Sequence, residues 1–148
     1  MGYIVAMSLL AIALLPQSRS TVDFSGTWRI DLQRSVYPGD GLEDHTLEIK
    51  QTPDALTLNS PSWKSPLVYK LDGTASVQKS RTWESVTRTR WEGQTLVIET
   101  KRVHYQPAQE TVTTDSFFLQ ARDELVSSRS VNTARGEHGF KLIYRKQK

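Results

Sequence analysis

The chain contains no cysteine. Disulfides, thiolate zinc sites, iron–sulfur clusters, thiol catalysis and cysteine-borne lipid anchors are thereby excluded. Histidine is scarce. His45, His104 and His138 stand apart, and none has a second His, Asp or Glu at ligand spacing on a common element, so neither a metal nor another cofactor is expected. His138, beside Glu137 between glycines, reads as a solvated turn. There is no Gly-x-Ser-x-Gly elbow and no phosphate loop, because the glycines fall in turn signals. An Asn-x-Ser/Thr sequon free of proline is also missing, so N-glycosylation is not implied. Charge of one sign is not in large excess: 19 Lys and Arg against 16 Asp and Glu leave a net charge of +3. That is too little for nucleic acid unless a patch concentrates it. Arg88, Arg90, Lys101 and Arg102 do gather near Trp83 and Trp91, but Glu84, Glu92 and Glu99 dilute the field, and no nucleic-acid partner is expected.

Long apolar runs are missing too. The longest, residues 4–15 (IVAMSLLAIALL), has twelve members including Ser8, where a membrane span needs about 20. A short run at the extreme N-terminus, followed by Pro16 and the small-residue site Ser18-Arg19-Ser20, has the form of a secretory signal. Residues 1–20 are read as a signal peptide, or else as an uncleaved N-terminal anchor, and residues 21–148 as one domain. Either way the domain is expected in an extracytoplasmic space, secreted or periplasmic, with no other transmembrane segment.

After Ser20 roughly one residue in three is apolar, too few for a thick core but enough for a thin-walled β structure. Short β-rich segments recur every eight to twelve residues between turn signals. In residues 26–33 (GTWRIDLQ), Trp28, Ile30 and Leu32 alternate with Thr27, Arg29 and Asp31, which is period two. Further strands are read over 46–51, 55–59, 67–71, 80–91, 94–105, 110–120, 124–131 and 138–146, and no segment carries an amphipathic helical stripe. The fold class is all-β: an antiparallel meander of eight or nine strands, closed into a single barrel that leaves no free edge.

The central hairpins say which face is inside. A two-residue turn at Glu92-Gly93 would set Thr89 opposite Leu96, Thr87 opposite Ile98 and Trp83 opposite Arg102. Outside, Glu84 would then face Lys101, an opposite-charge pair worth about 0.2–1 kcal/mol. A Pro107-Ala108 turn that pairs Tyr105 with Glu110 would bring Ile98 opposite Phe117 and Leu96 opposite Leu119. The inward face is then apolar at one end (Trp91, Leu96, Ile98, Phe117, Leu119), passes through Ser85, Thr100 and Asp115, and ends cationic at Arg81, Trp83, Arg102 and His104. Such a gradient suits a cavity that holds an apolar tail and pairs an acidic head with Arg. Two blander arrangements fit as well. Arg81, Arg102 and His104 would reach solvent at the rim, or Asp115 would neutralise Arg102, since a buried Arg needs a partner. Asp115, His104 and Ser85 would make an acid–base–hydroxyl set only if register allowed, and without a nucleophile elbow no enzyme is expected.

Phe24-Ser25-Gly26-Thr27-Trp28 resembles the Gly-x-Trp opening of the calycin barrels, namely lipocalins, fatty-acid-binding proteins and avidins. The resemblance implies that Trp28 plugs the closed end and that a cation on the last strand lies across it. Arg145 is the matching residue, with Lys146 and Lys141 as alternatives. Residues 91–101 (WEGQTLVIETK) and 31–35 (DLQRS) are similar to small exported bacterial proteins called lipocalin-like. Two functions are open: a binding module for a small apolar or amphipathic acidic molecule, with Arg81, Trp83, Ile98, Arg102, His104, Asp115 and Phe117 lining the site, or a packed structural domain whose outer residues, such as Phe118 and Arg88, meet an envelope component.

Overall fold

The computed structural model describes residues 22–148; the segment read as a signal or anchor lies outside the described residues. Ten strands follow one another: β1 (Gly26–Ile30), β2 (Thr46–Gln51), β3 (Ala55–Asn59), β4 (Leu67–Lys70), β5 (Ser76–Lys79), β6 (Trp83–Glu92), β7 (Thr95–Tyr105), β8 (Ala108–Ala121), β9 (Glu124–Thr133) and β10 (Gly136–Lys146). All neighbours in sequence are antiparallel partners except β4 and β5, and β1 also pairs with β10, giving the order β4-β3-β2-β1-β10-β9-β8-β7-β6-β5. First and last strands are thus joined, and β4 and β5 are the two ends of the sheet. Where β5 is absent, β4 meets β6 directly: the Thr89 hydroxyl donates to the Lys70 carbonyl at 2.5 Å. The result is an antiparallel meander that forms a nearly closed β-barrel.

One strand beyond the nine is β5. Its sequence, Ser76-Val77-Gln78-Lys79, has a single apolar member, and Val77 is 53% exposed, so no alternation announces it. The two central hairpins also close differently. Trp91 opposes Leu96, Thr89 opposes Ile98, Ser85 opposes Arg102 and Trp83 opposes His104. The turn is therefore Gly93-Gln94, not Glu92-Gly93, because Gly93 adopts φ 61° at the first central position of a two-residue loop, which a residue with a Cβ resists. Likewise Tyr105 pairs with Ala108 around a cis Gln106–Pro107 bond, which sets Leu96 opposite Phe117 and Ile98 opposite Asp115. Both corrections move the register by two residues. A shift of two returns every side chain to its original face, so the inside–outside reading survives while the cross-strand partners change.

The inner faces converge on one cluster in which Phe24, Trp28, Leu56, Leu96, Ile98 and Leu125 are wholly buried. Trp91 stacks on Phe24 with ring centroids 5.8 Å apart. The strand ends near Gly26, Gly93 and Asp123 form this packed base.

The outer wall has a second fixed point. After β1 the chain turns, and the Asp31 carbonyl accepts from the Ser35 amide (3.1 Å) and the Ser35 hydroxyl (2.8 Å). The Ser35 hydroxyl oxygen accepts in turn from the Ile143 amide at 2.9 Å. From this turn Arg34 reaches across β10 and forks onto Glu124 of β9, which Arg145 also meets at 2.8 Å. The residues noted at 31–35 are thus a clamp that ties the first, ninth and tenth strands together. Glu124 is covered by these side chains on the wall rather than sunk in the interior. The hydrogen bonds from Arg34, then the Arg145 charge, hold its carboxyl below the ordinary glutamate range. A depressed carboxylate contributes stability that is complete above its unfolded value, near 4.5, and is lost as pH falls through the lower folded value. Glu124→Gln should therefore lower the melting temperature at pH 7, and the difference from the parent should shrink toward pH 3. Scanning calorimetry across that range checks it, and a pH-independent difference would contradict the assignment.

Candidate functional site

Three tiers lie above one another inside the barrel. The base is apolar. The Trp28 indole donates from Nε1 to the Phe24 carbonyl at 2.9 Å, and the cation over its ring is Lys146, at 5.2 Å. Lys146 was among the alternatives; Arg145 faces outward to Glu124 and Asp31 instead. Ile98 and Phe117, expected on the ligand face, are part of the base, at 0% and 5% exposure.

The middle tier holds a charged pair. Arg129 of β9 stands directly opposite Asp115 of β8. It donates from Nε to Oδ1 at 2.6 Å and from Nη2 to Oδ2 at 3.0 Å, the parallel fork that suits guanidinium and carboxylate. Its guanidinium lies 5.6 Å from the Phe140 ring centre, and Phe140 is itself tilted against Tyr37. The hydrogen bonds of Asp115 push the Arg129 pKa above its ordinary value. Tyr69 of β4 comes from the other side of the lumen and feels both charges; burial first, then Asp115, raises its phenol. So Asp115 is neutralised as expected for a buried carboxylate, but by Arg129 and not by Arg102.

Arg102 is exposed at the mouth, where its guanidinium stacks 4.6 Å from the Trp83 ring centre. His104 stands opposite Trp83, half-buried. Arg81 sits in the turn between β5 and β6, exposed, and joins no pair with the others. The geometry therefore gathers Trp83, Arg102 and His104 at the rim, places Asp115 deeper, and leaves Arg81 at the edge. The acid–base–hydroxyl set does not form, because Asp115 is committed to Arg129 and Ser85 stands opposite Arg102.

Arg129 and Tyr69 were not singled out from the sequence. Running the β8–β9 register from the Arg122-Asp123 turn alone sets Asp115 opposite Ser130. The β-bulge at Leu119/Ala121 offsets the pairing by one residue close to the turn and brings Arg129 there instead.

Between base and mouth the wall is hydroxylated. Thr87 and Thr100 bond to each other at 2.9 Å. Among the described residues every fully enclosed side-chain polar atom has a partner. The hydroxyls of Ser85 and Ser127, on inward-facing residues only 3% and 9% exposed, make no hydrogen bond among the described residues. Two further depressions, of about 320 and 460 Å³, lie on the outer wall beside Arg29 and Asp44. Their charged groups are already committed: Arg29 forks onto Asp44, and Arg145 to Glu124.

No protein-family model matches the chain, and no curated protein is similar enough in sequence to count as a relative. Solved structures do match the fold, which is that of the calycin-type barrels. One is a fatty acid transporter designated REP1-NXSQ, with 13% identity and a TM-score of 0.55, covering 84% of this chain and 96% of the other. Another is fatty-acid-binding protein 1 of Echinococcus granulosus, with 16% identity and a TM-score of 0.53, covering 84% of this chain and 98% of the other. Both are binding or transport proteins by description, and at these identities the likeness is one of fold.

Proposed function

We propose that this barrel is a binding module, not an enzyme, that holds one small apolar or amphipathic molecule in its upper half. The observation that carries the reading is the polar inward face above a packed apolar base, where Ser85, Thr100 and the Asp115–Arg129 pair stand. A barrel packed throughout would be apolar at that level too. Two fatty-acid-carrying structures of the same fold support it. The base is already occupied by Phe24, Trp28, Trp91 and Ile98, so the ligand lies above Ile98, with Trp83, Arg102 and His104 at its exit. The proposal includes export, which the apolar run at residues 4–15 supports.

Native mass spectrometry of protein purified without detergent is the test. The expected spectrum shows a lipid-sized adduct and a chain mass that lacks residues 1–20 when the protein is recovered outside the cytoplasm. A clean unliganded mass together with no uptake of a fluorescent fatty-acid probe would overturn the binding reading in favour of a packed interaction domain. A full-length chain retained in the cytoplasm would overturn export alone.

A further inference from the structure

We infer that the interior selects a ligand with an uncharged, hydrogen-bonding head, such as a long-chain alcohol or a monoacylglycerol, over the free acid of the same chain length, and that the Asp115–Arg129 pair is what selects. This rests on the lipid-binding reading above and adds the ligand's head-group class.

A guanidinium inside a barrel invites the assumption of an acidic ligand. Here its charge is already cancelled by a carboxylate that is 10% exposed and accepts both parallel hydrogen bonds. An incoming carboxylate would put a second anion on a single cation, within reach of Asp115. Like charges at such spacing in a poorly solvated site are strongly unfavourable, and one of them must take up a proton or stay out. A neutral head meets no such obstacle. Arg129 keeps Nη1 unengaged by any described residue, Asp115 keeps acceptor capacity, and the Tyr69 hydroxyl makes no hydrogen bond among the described residues. Because its phenol titrates above the ordinary range, Tyr69 remains a donor at any working pH. The hydroxyls of Ser85 and Ser127 can both donate and accept. This donor-and-acceptor lining matches an alcohol or ester, whereas a carboxylate only accepts. Arg102, like Arg81 at the edge, has no carboxylate partner among the described residues, but it is exposed and already stacked on Trp83. In water an exposed charge contributes little to affinity.

The experiment titrates delipidated protein at pH 8, below the micellar range, with dodecan-1-ol, monododecanoylglycerol and dodecanoate, by calorimetry and by the fluorescence of the lumenal tryptophans. The two neutral ligands are expected to bind about tenfold more tightly than dodecanoate, the scale of one charge or hydrogen-bond difference. Asp115→Asn, which leaves Arg129 uncompensated, should remove or reverse that preference by raising dodecanoate affinity. If Asp115→Asn fails to fold, the double variant Asp115→Asn/Arg129→Gln serves: it should retain the neutral ligands and show no gain for the acid. Dodecanoate binding as well as or better than the alcohol would overturn the inference and leave the lipid reading intact. If Arg102→Ala abolished that acid binding, recognition would lie at the mouth. Failure of all three ligands to bind would overturn the lipid reading itself, and the inference with it.

Discussion

Arg129→Gln is expected to destabilise the barrel by about 2–3 kcal/mol, more than the loss of any solvent-exposed ion pair among the described residues. Removing one member of a buried pair typically costs about 3–5 kcal/mol, because the surviving charge stays desolvated without a partner. Asp115 fits that description with 10% of its side chain exposed, and the lower figure allows for the 40% exposure that Arg129 retains. The surface pairs offer a contrast. Arg90 meets Glu92 at 2.9 Å and Lys101 meets Glu110 at 3.0 Å, with every partner at least half exposed, and such pairs are worth about 0–1 kcal/mol. The deficit in Arg129→Gln should be largely recovered in Asp115→Asn/Arg129→Gln, where neither charge remains. Urea unfolding of the two single variants and the double variant at pH 7.5 completes the cycle. No recovery in the double variant would mean that packing against Phe140 rather than charge compensation is the main role of Arg129.

The different fates of these charges show what the sequence could and could not disclose. Period-two alternation is a property of each strand alone, and it survives a two-residue error in register. Trp28, Leu96, Ile98 and Phe117 were legible as interior for that reason. Who meets whom is a property of two strands and the turn between them. It depended on the turn falling one position later than assumed, with Gly93 at positive φ as its first residue, on the cis Gln106–Pro107 bond and on the bulge at Leu119/Ala121. None of these leaves a periodic trace. Arg102 and Arg129 are the same residue type on inward-facing positions, yet one is at the rim and the other carries the lumenal pair. Strand length decides it, since β7 to β10 rise well beyond the short β1 to β5 and carry their far ends into solvent. Tyr69 joins the site from β4, across the lumen, which no pairwise hairpin argument reaches. The clamp at residues 31–35 was visible as a motif, but its meaning required Glu124, 90 residues from Arg34, and Ile143, 108 residues from Ser35.

The other large effect is expected at Trp28. Trp28→Ala should cost about 3–5 kcal/mol, the range for deleting a fully buried large aromatic, a large fraction of the stability of a typical domain, about 5–15 kcal/mol. Trp28 is 0% exposed and shares the base with Phe24, Leu47 and Leu96. The cavity left by its removal would lie where the first and last strands join, at the one seam that closes the sheet on that side. Three contributions are separable there. Trp28→Phe keeps most of the ring volume but leaves the Phe24 carbonyl without its donor, an expected loss of about 1–2 kcal/mol. Lys146→Met keeps an apolar stem over the ring and removes only the cation, at about 0.5–1 kcal/mol for an exposed site. Burial should therefore dominate over the hydrogen bond, and the hydrogen bond over the cation. Circular dichroism of the β signal during urea unfolding measures all three on one scale. If Lys146→Met proved as damaging as Trp28→Ala, closure of the base would depend on the cation, and the stopper would be the pair rather than the indole.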